Sequence, residues 1–361
     1  MKIVIFGLSL TSAWGNGHAT LWRALLRALI QRGHSPVFYE RDFPFYAQNR
    51  DLEEIPGARI VLYETWEEVR SQVTKDLRDA DVSVVTSYCP DSLSATETLL
   101  DHHPGLHVFY DLDTPVTLDA LYKGQRVPYI PANGLADFDL VLSYTGGQAL
   151  TELQTKLGAK SVAPLYGSVD PDAHAPAEPD CRYAADVSYL GTYAEDRQPK
   201  LEELLVKPAR QQPAQSFLIA GAQYPAGISL PANVRLLPHV PPPDHPAFYN
   251  SARLNLNITR AAMARMGYCP SGRLFEAAAC GAPLLSDDWP GLDTFFEPDR
   301  EILIARTAED VAEALRRDDL RTIANAARQR TLEQHTAQHR AKQFESLVGG
   351  RVPAGAQLCG A

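Results

Sequence analysis

Four groups of residues in this chain combine types and spacing that can do chemistry. Glu276 stands in SGRLFEAAACGAP (271–283), with Leu274, Phe275, Ala277, Ala278 and Ala279 around it. A carboxylate among such neighbours needs a partner, because burying an unpaired charge is costly. Arg273, three residues earlier, is one partner at helical spacing. A ribose is another, since one carboxylate accepts from both of its hydroxyls. Ser271 and Gly272 open the same helix and leave amides free for a phosphate. The second group is Asp111 and Asp113 in YDLDTPVTL (110–118), where the chain leaves an apolar run. Two carboxylates on one loop repel, which raises one pKa and makes a base for a hydroxyl. The plainer reading is that they cap the next helix or hold the loop. The third group is Gly15, Asn16, Gly17 and His18 in GLSLTSAWGNGHATLW (7–22). Glycines admit a ligand close to the backbone, helix amides attract an anion, and histidine suits proton transfer at neutral pH. His18 is equally readable as a first-turn helix residue with no chemical role. The fourth group is cationic. Gly191 and Thr192 follow a strand in YLGTYAEDRQPKL (189–201), with Arg197 and Lys200 beyond them, and Arg260, Arg265 and Arg273 lie downstream. Cations at strand ends can neutralise a diphosphate. Asp287, Asp288 and Trp289 form a loop that reads as an exposed aromatic beside two acids, able to touch a base or sugar, or simply as packing.

The elements that must position these groups alternate along the chain. KIVIFG (2–7), SPVFYE (35–40), ARIVLYE (58–64), DVSVVTSY (81–88), LHVFYD (106–111) and FDLVLSY (138–144) read as strands. Helical patterns at 19–33, 66–79, 92–102 and 146–157 separate them. Such β-α alternation predicts a parallel sheet with helices on both faces. Between 166 and 183 prolines cluster and apolar periodicity stops, which predicts a linker. A second series follows: ADVSYLG (185–191), QSFLIAG (215–221), VRLLPHV (234–240), RLNLNIT (253–259), APLLSD (282–287) and EILIA (301–305), with helices between. One long helix is expected over 319–348 and a frayed tail from Arg351 on. The domains expected are 1–165, a linker at 166–183, 184–330, and a helix and tail at 331–361 crossing back to the first domain.

Bulk properties exclude several classes. Lys+Arg 34 against Asp+Glu 44 gives −10, which argues against general nucleic-acid binding. No apolar run approaches the roughly 20 residues needed to span a bilayer, although peripheral membrane contact stays open. Cys89, Cys181, Cys269, Cys280 and Cys359 lack paired metal spacing, so a reduced cytoplasmic protein without structural zinc is expected. Gly15, Gly17 and a later Glu40 suggest a dinucleotide fingerprint, but about ten residues separate Gly7 from the helix where a tight turn is needed.

The segment from Leu254 to Glu301, with NLNITRAAMARMGYCPSGRLFEAAACGAPLLSDDWPG within it, resembles the glycosyltransferases grouped with spore maturation protein CgeB. YDLDTPVTL resembles the same group, which is similar to the group 1 glycosyltransferases. The resemblance implies the GT-B fold: an α/β protein of two Rossmann-like α/β/α domains, their parallel sheets facing an interdomain cleft. It implies transfer of a sugar, hexosyl in kind, from a nucleotide-diphosphate donor to an acceptor hydroxyl of open identity. A UDP-sugar is the first donor to test, as substrate, with no cofactor and no metal. Donor binding is expected from Glu276, Arg273, Arg260, Arg197, Gly191, Thr192, Ser271 and Gly272. Asp111, Asp113 and His18 are the expected catalytic groups, beside the loop of Gly15, Asn16 and Gly17. Two departures stand out. Related enzymes often carry a second glutamate eight residues before the one matching Glu276, and Tyr268 stands there. Many also place a histidine where Tyr110 and Asp111 stand. A nucleotide-sugar epimerase or hydrolase, or a non-catalytic nucleotide-sugar-binding protein, remains the alternative on the same scaffold.

Overall fold

The structure, a computed structural model, describes residues 1–351, so the tail expected beyond Arg351 and Cys359 lie outside the described residues. The described residues divide into two compact units, residues 1–166 with 337–351, and residues 167–336.

In the first unit seven strands are described: β1 Lys2–Gly7, β2 Ser35–Arg41, β3 Arg59–Tyr63, β4 Val82–Thr86, β5 Leu106–Asp111, β6 Leu140–Ser143 and β7 Val162–Pro164. They pair in parallel in the order β3-β2-β1-β4-β5-β6-β7. Strand β1 shows why a parallel sheet forms. Ile3, Val4, Ile5 and Phe6 are all apolar and all buried, as a strand covered on both faces requires. Alternation then assigns the faces. Ile3 and Ile5 pack with Trp22, Leu25 and Leu29 of helix Gly17–Gln31 and with Phe344 of helix Ala337–Gly349. Val4 and Phe6 pack with Trp66, Val69, Val73 and Leu77 of helix Trp66–Arg78. Replacing a buried side chain such as Leu26 by alanine costs about 2–5 kcal/mol.

Six more strands make the sheet of the second unit: β8 Ala185–Leu190, β9 Phe217–Ala220, β10 Val234–Leu237, β11 Ala252–Asn257, β12 Leu284–Asp287 and β13 Leu303–Ala305. Their order is β10-β9-β8-β11-β12-β13, again wholly parallel. Val187, Tyr189, Ile219, Leu254, Leu256 and Leu285 belong to one core with Leu204, Val311 and Ile323 from the covering helices.

Two sequence expectations change. The long terminal helix is two helices, Leu320–Gln334 and Ala337–Gly349. His335 breaks it: its ring lies 4.6 Å from Phe275, its carbonyl accepts from Val169 N–H at 3.0 Å, and Thr336 bridges to Val169. Tertiary contacts outweigh local helix preference there. The stretch between the helix expected at 146–157 and the linker expected from 166, where no strand is expected, contains β7, a three-residue edge strand in which Pro164 is tolerated because its missing N–H leaves no ladder bond unmade.

Candidate functional site

In open parallel sheets ligands bind beyond the carboxyl ends of the strands, and each unit places its chemistry there. In the first unit β1 leads into the loop of residues 8–16. Glu40, at the end of β2 and fully buried, holds this loop. Its carboxylate accepts from Leu10 N–H at 2.6 Å, Thr11 N–H at 2.9 Å, Ser9 Oγ at 2.8 Å and Thr11 Oγ1 at 2.7 Å. Those bonds occupy the acid that a dinucleotide would need for its ribose. Gly15 takes φ +60, and Asn16 caps the next helix by accepting from His18 N–H at 3.0 Å. A Cβ added at Gly17 would meet nothing within 4 Å, so the backbone there is open to approach.

This cap aims His18. Its Nε2 lies 2.9 Å from Asp113 Oδ2. A carboxylate only accepts, so Nε2 carries the proton and the lone pair falls to Nδ1, which is buried without a partner. Asp113 stands immediately before helix Thr114–Tyr122, but its side chain does not cap that helix. Asp111, read from sequence as its equal on one loop, is different. It closes β5 with no exposed surface, Oδ1 accepts from Asp113 N–H at 3.0 Å, and Oδ2 is buried without a partner. Burial pushes its carboxyl up to about 6, and the charge of Asp113 acts in the same direction. Sequence reasoning missed Tyr88. It sits just beyond β4 at φ +62, is 36% exposed, and its ring meets His18 edge-on at 5.7 Å. A left-handed aromatic residue is strained, and such strain concentrates at functional sites.

The second unit gathers cations at the end of β8. Arg197 Nη1 donates to Tyr189 Oη at 3.0 Å and to the Thr192 carbonyl at 2.9 Å. The Arg273 guanidinium lies over the Tyr189 ring, 5.2 Å from its centroid, and donates to Asn257 Oδ1 at 2.8 Å. Neither arginine has a carboxylate partner among the described residues, and the Nε of each is buried and unbonded. A Cβ at Gly191 would stand 2.5 Å from Tyr189 Oη and 2.9 Å from Arg273 Nη2, so any larger residue would push these groups aside. Arg197, Arg273, Gly191 and Thr192 thus converge, with Ser271 and Gly272 opening the helix Gly272–Ala279 that bears Arg273. Arg260 instead faces Asp196 at 3.2 Å, and Lys200 pairs with buried Asp287 at 2.5 Å. Asp288 accepts from Arg306 at 2.9 Å. Trp289, expected to be exposed, is buried and packs on Phe295.

Glu276 is not ion-paired with Arg273. Its Oε2 accepts from Tyr249 Oη at 3.0 Å, and His174 and His245 stand beside it. Burial would raise the Glu276 carboxyl, but the two histidines, the Tyr249 hydroxyl and Arg273 outweigh it and hold its pKa below the usual range. Burial, with Glu276 alongside, keeps the Tyr249 hydroxyl protonated. Nothing in the spacing of His174, His245 and Tyr249 pointed to this grouping; only the lone histidines within proline-rich HAP and DHP hinted at it.

Residues 197–346 match the family model described as glycosyl transferase-like. No curated protein sequence matches the chain. Sucrose-phosphate synthase from Thermosynechococcus elongatus is similar in fold, with TM-score 0.69 and 16% identity over 97% of this chain and 98% of that one. HepE from Anabaena, solved with UDP-glucose, gives TM-score 0.68 and 14% identity over 97% of this chain and 100% of that one. An alpha-glucosyltransferase solved with UDP-glucose and DNA containing an abasic site gives 0.69 and 13% over 97% and 99%. No helix among the described residues is long and apolar enough to cross a membrane. The two parallel-sheet units have the GT-B fold, and the second unit with the start of the terminal helix resembles the glycosyl transferase-like family.

Proposed function

We propose that the protein transfers a sugar, hexosyl in kind, from a nucleoside-diphosphate donor to an acceptor hydroxyl. The observation that carries this reading is the pair of guanidinium groups on Tyr189, without carboxylate partners, against the bare backbone of Gly191. Such a site fits a diphosphate, whose departure is the main electrostatic demand of the reaction. The match of residues 197–346 to a glycosyl transferase-like model supports it, as do similar folds solved with UDP-glucose. Arg197 and Arg273 would carry the diphosphate charge without a metal, the amides of Ser271 and Gly272 would face phosphate, and Glu276 would accept from the ribose. UDP is the first nucleotide to test.

In the first unit His18 is assigned as the base. Its Nδ1 lone pair would take the proton of the acceptor hydroxyl, and Asp113 on Nε2 would stabilise the imidazolium. Asp111 lies behind this pair as a buried support.

A melting-temperature screen against UDP, GDP, dTDP, ADP and CMP tests the donor half, with Arg273→Ala as control. Mass action raises the transition for a nucleotide bound only by the folded state. A shift with one diphosphate that the variant loses supports the site; no shift with any of them overturns it. Sugar release that depends on added acceptor separates a transferase from a hydrolase or epimerase. Donor binding without turnover would favour a non-catalytic binder.

A further inference from the structure

Three side chains from separate segments of the second unit converge. His174 lies in a turn, its N–H donating to the Asp170 carbonyl at 2.9 Å; His245 opens helix His245–Asn250; Glu276 lies in helix Gly272–Ala279. One nitrogen of each imidazole and one carboxylate oxygen lie within 4.8 Å of one another. His174 is only 9% exposed, yet neither ring nitrogen has a hydrogen-bond partner. In His245, Nε2 faces the Val240 carbonyl at 3.2 Å. A carbonyl only accepts, so Nε2 holds the proton and the lone pair lies on Nδ1, buried and likewise without a partner. Metal-ligating histidines characteristically fix their tautomer through such a bond from the other nitrogen. Buried polar atoms are normally satisfied, so bare nitrogens around an ionised carboxylate call for a ligand that takes lone pairs.

We propose that His174, His245 and Glu276 bind a divalent transition-metal ion of the zinc class. Two neutral imidazoles and one carboxylate form a donor set suited to Zn²⁺, with a fourth position left for water or a substrate oxygen. Mg²⁺ and Ca²⁺ prefer oxygen-only sets and compete poorly. At a metal–nitrogen distance of about 2.0–2.1 Å, ligand atoms of a tetrahedral site stand roughly 3.3 Å apart, so the ion draws the three groups inward. His245 and Glu276 are only partly buried, which gives the ion a way in. No step of the proposed transfer uses the ion. A carboxylate has about four acceptor positions, so one oxygen on the metal leaves places for Tyr249 and a ribose hydroxyl. The ion would tie the turn at His174 to two helices.

The test uses full-length protein stripped with a chelator, without nucleotide, so its outcome is independent of the donor reading. Zn²⁺ at a hundredfold excess over its Kd should raise the melting temperature by about 5 °C or more, and Mg²⁺ should not. Co²⁺ should give the intense visible absorption of a four-coordinate site at one equivalent. His174→Gln and His245→Gln should each abolish both signals. The wild-type Co²⁺ titration keeps the test sound if a variant folds poorly. Neither a shift nor a Co²⁺ band in the wild type, or signals that persist in both variants, would overturn the proposal.

Discussion

The two units share the same relative strand order, with the first three strands reversed across the sheet and the rest following in sequence, yet their strand ends carry opposite chemistry. In the first unit the loop after β1 is held by its own acid, since Glu40 accepts from Ser9, Leu10 and Thr11. What remains beside it is a histidine and an acid, His18 and Asp113, in hydrogen-bond contact and proposed here to move a proton. In the second unit the loop after β8 contains Gly191 and is approached by Arg197 and Arg273, the pair proposed here to hold a diphosphate. Topology says where a site lies; the residues at the strand ends decide whether it moves protons or holds phosphate.

The sharpest way to break this comparison is to remove the proposed base. His18→Ala should lower kcat by roughly 10²–10⁴-fold while leaving nucleotide affinity unchanged, measured by turnover and calorimetry on one preparation. A loss of nucleotide affinity instead would merge the two roles. Arg273→Ala should do the reverse, weakening nucleotide binding by about 1.5–3 kcal/mol, roughly 10–150-fold. Arg273→Lys should rescue it poorly, because lysine cannot reproduce the planar group that lies over Tyr189. Asp111 gives a pH test confined to the first unit. Its folded pKa of about 6 lies above the ordinary 3.8, so the folded state holds its proton more tightly than the unfolded state does. The group therefore favours folding below about pH 4, and that contribution is lost as pH rises towards 6. Asp111→Asn should remove this slope, so urea midpoints of variant and wild type should diverge between pH 4 and pH 7. Parallel curves would mean that the buried carboxyl titrates normally. The smallest effect is expected at Tyr88, where Tyr88→Ala should raise KM for the acceptor several-fold and leave nucleotide affinity alone. An unchanged KM would make Tyr88 a packing residue.

Much of the fold was legible. The strands of both series fall where the apolar runs lie, because a strand buried on both faces must be apolar throughout and turn residues must interrupt it. The positions of Arg273 and Glu276 on one helix, and of Gly191 after a strand, follow from helical periodicity and strand ends. The terminal helix misled, because its break at His335 comes from Phe275, Phe295 and Val169, which are remote in sequence.

By itself the sequence determined two parallel α/β units, which residues could carry charge at their strand ends, and a resemblance to sugar-transferring enzymes. Hydrophobic pattern and turn chemistry are local, and locality is what a sequence displays. Only the tertiary structure decided how those charges are partnered. Asp113 meets His18 while Asp111 is buried beside it; Arg260 and Lys200 are taken by Asp196 and Asp287, while Arg197 and Arg273 are left on Tyr189. Glu276 faces two histidines instead of the arginine three residues away. Pairing depends on distances of a few ångströms between residues far apart in the chain, and electrostatic energies change most steeply over that range.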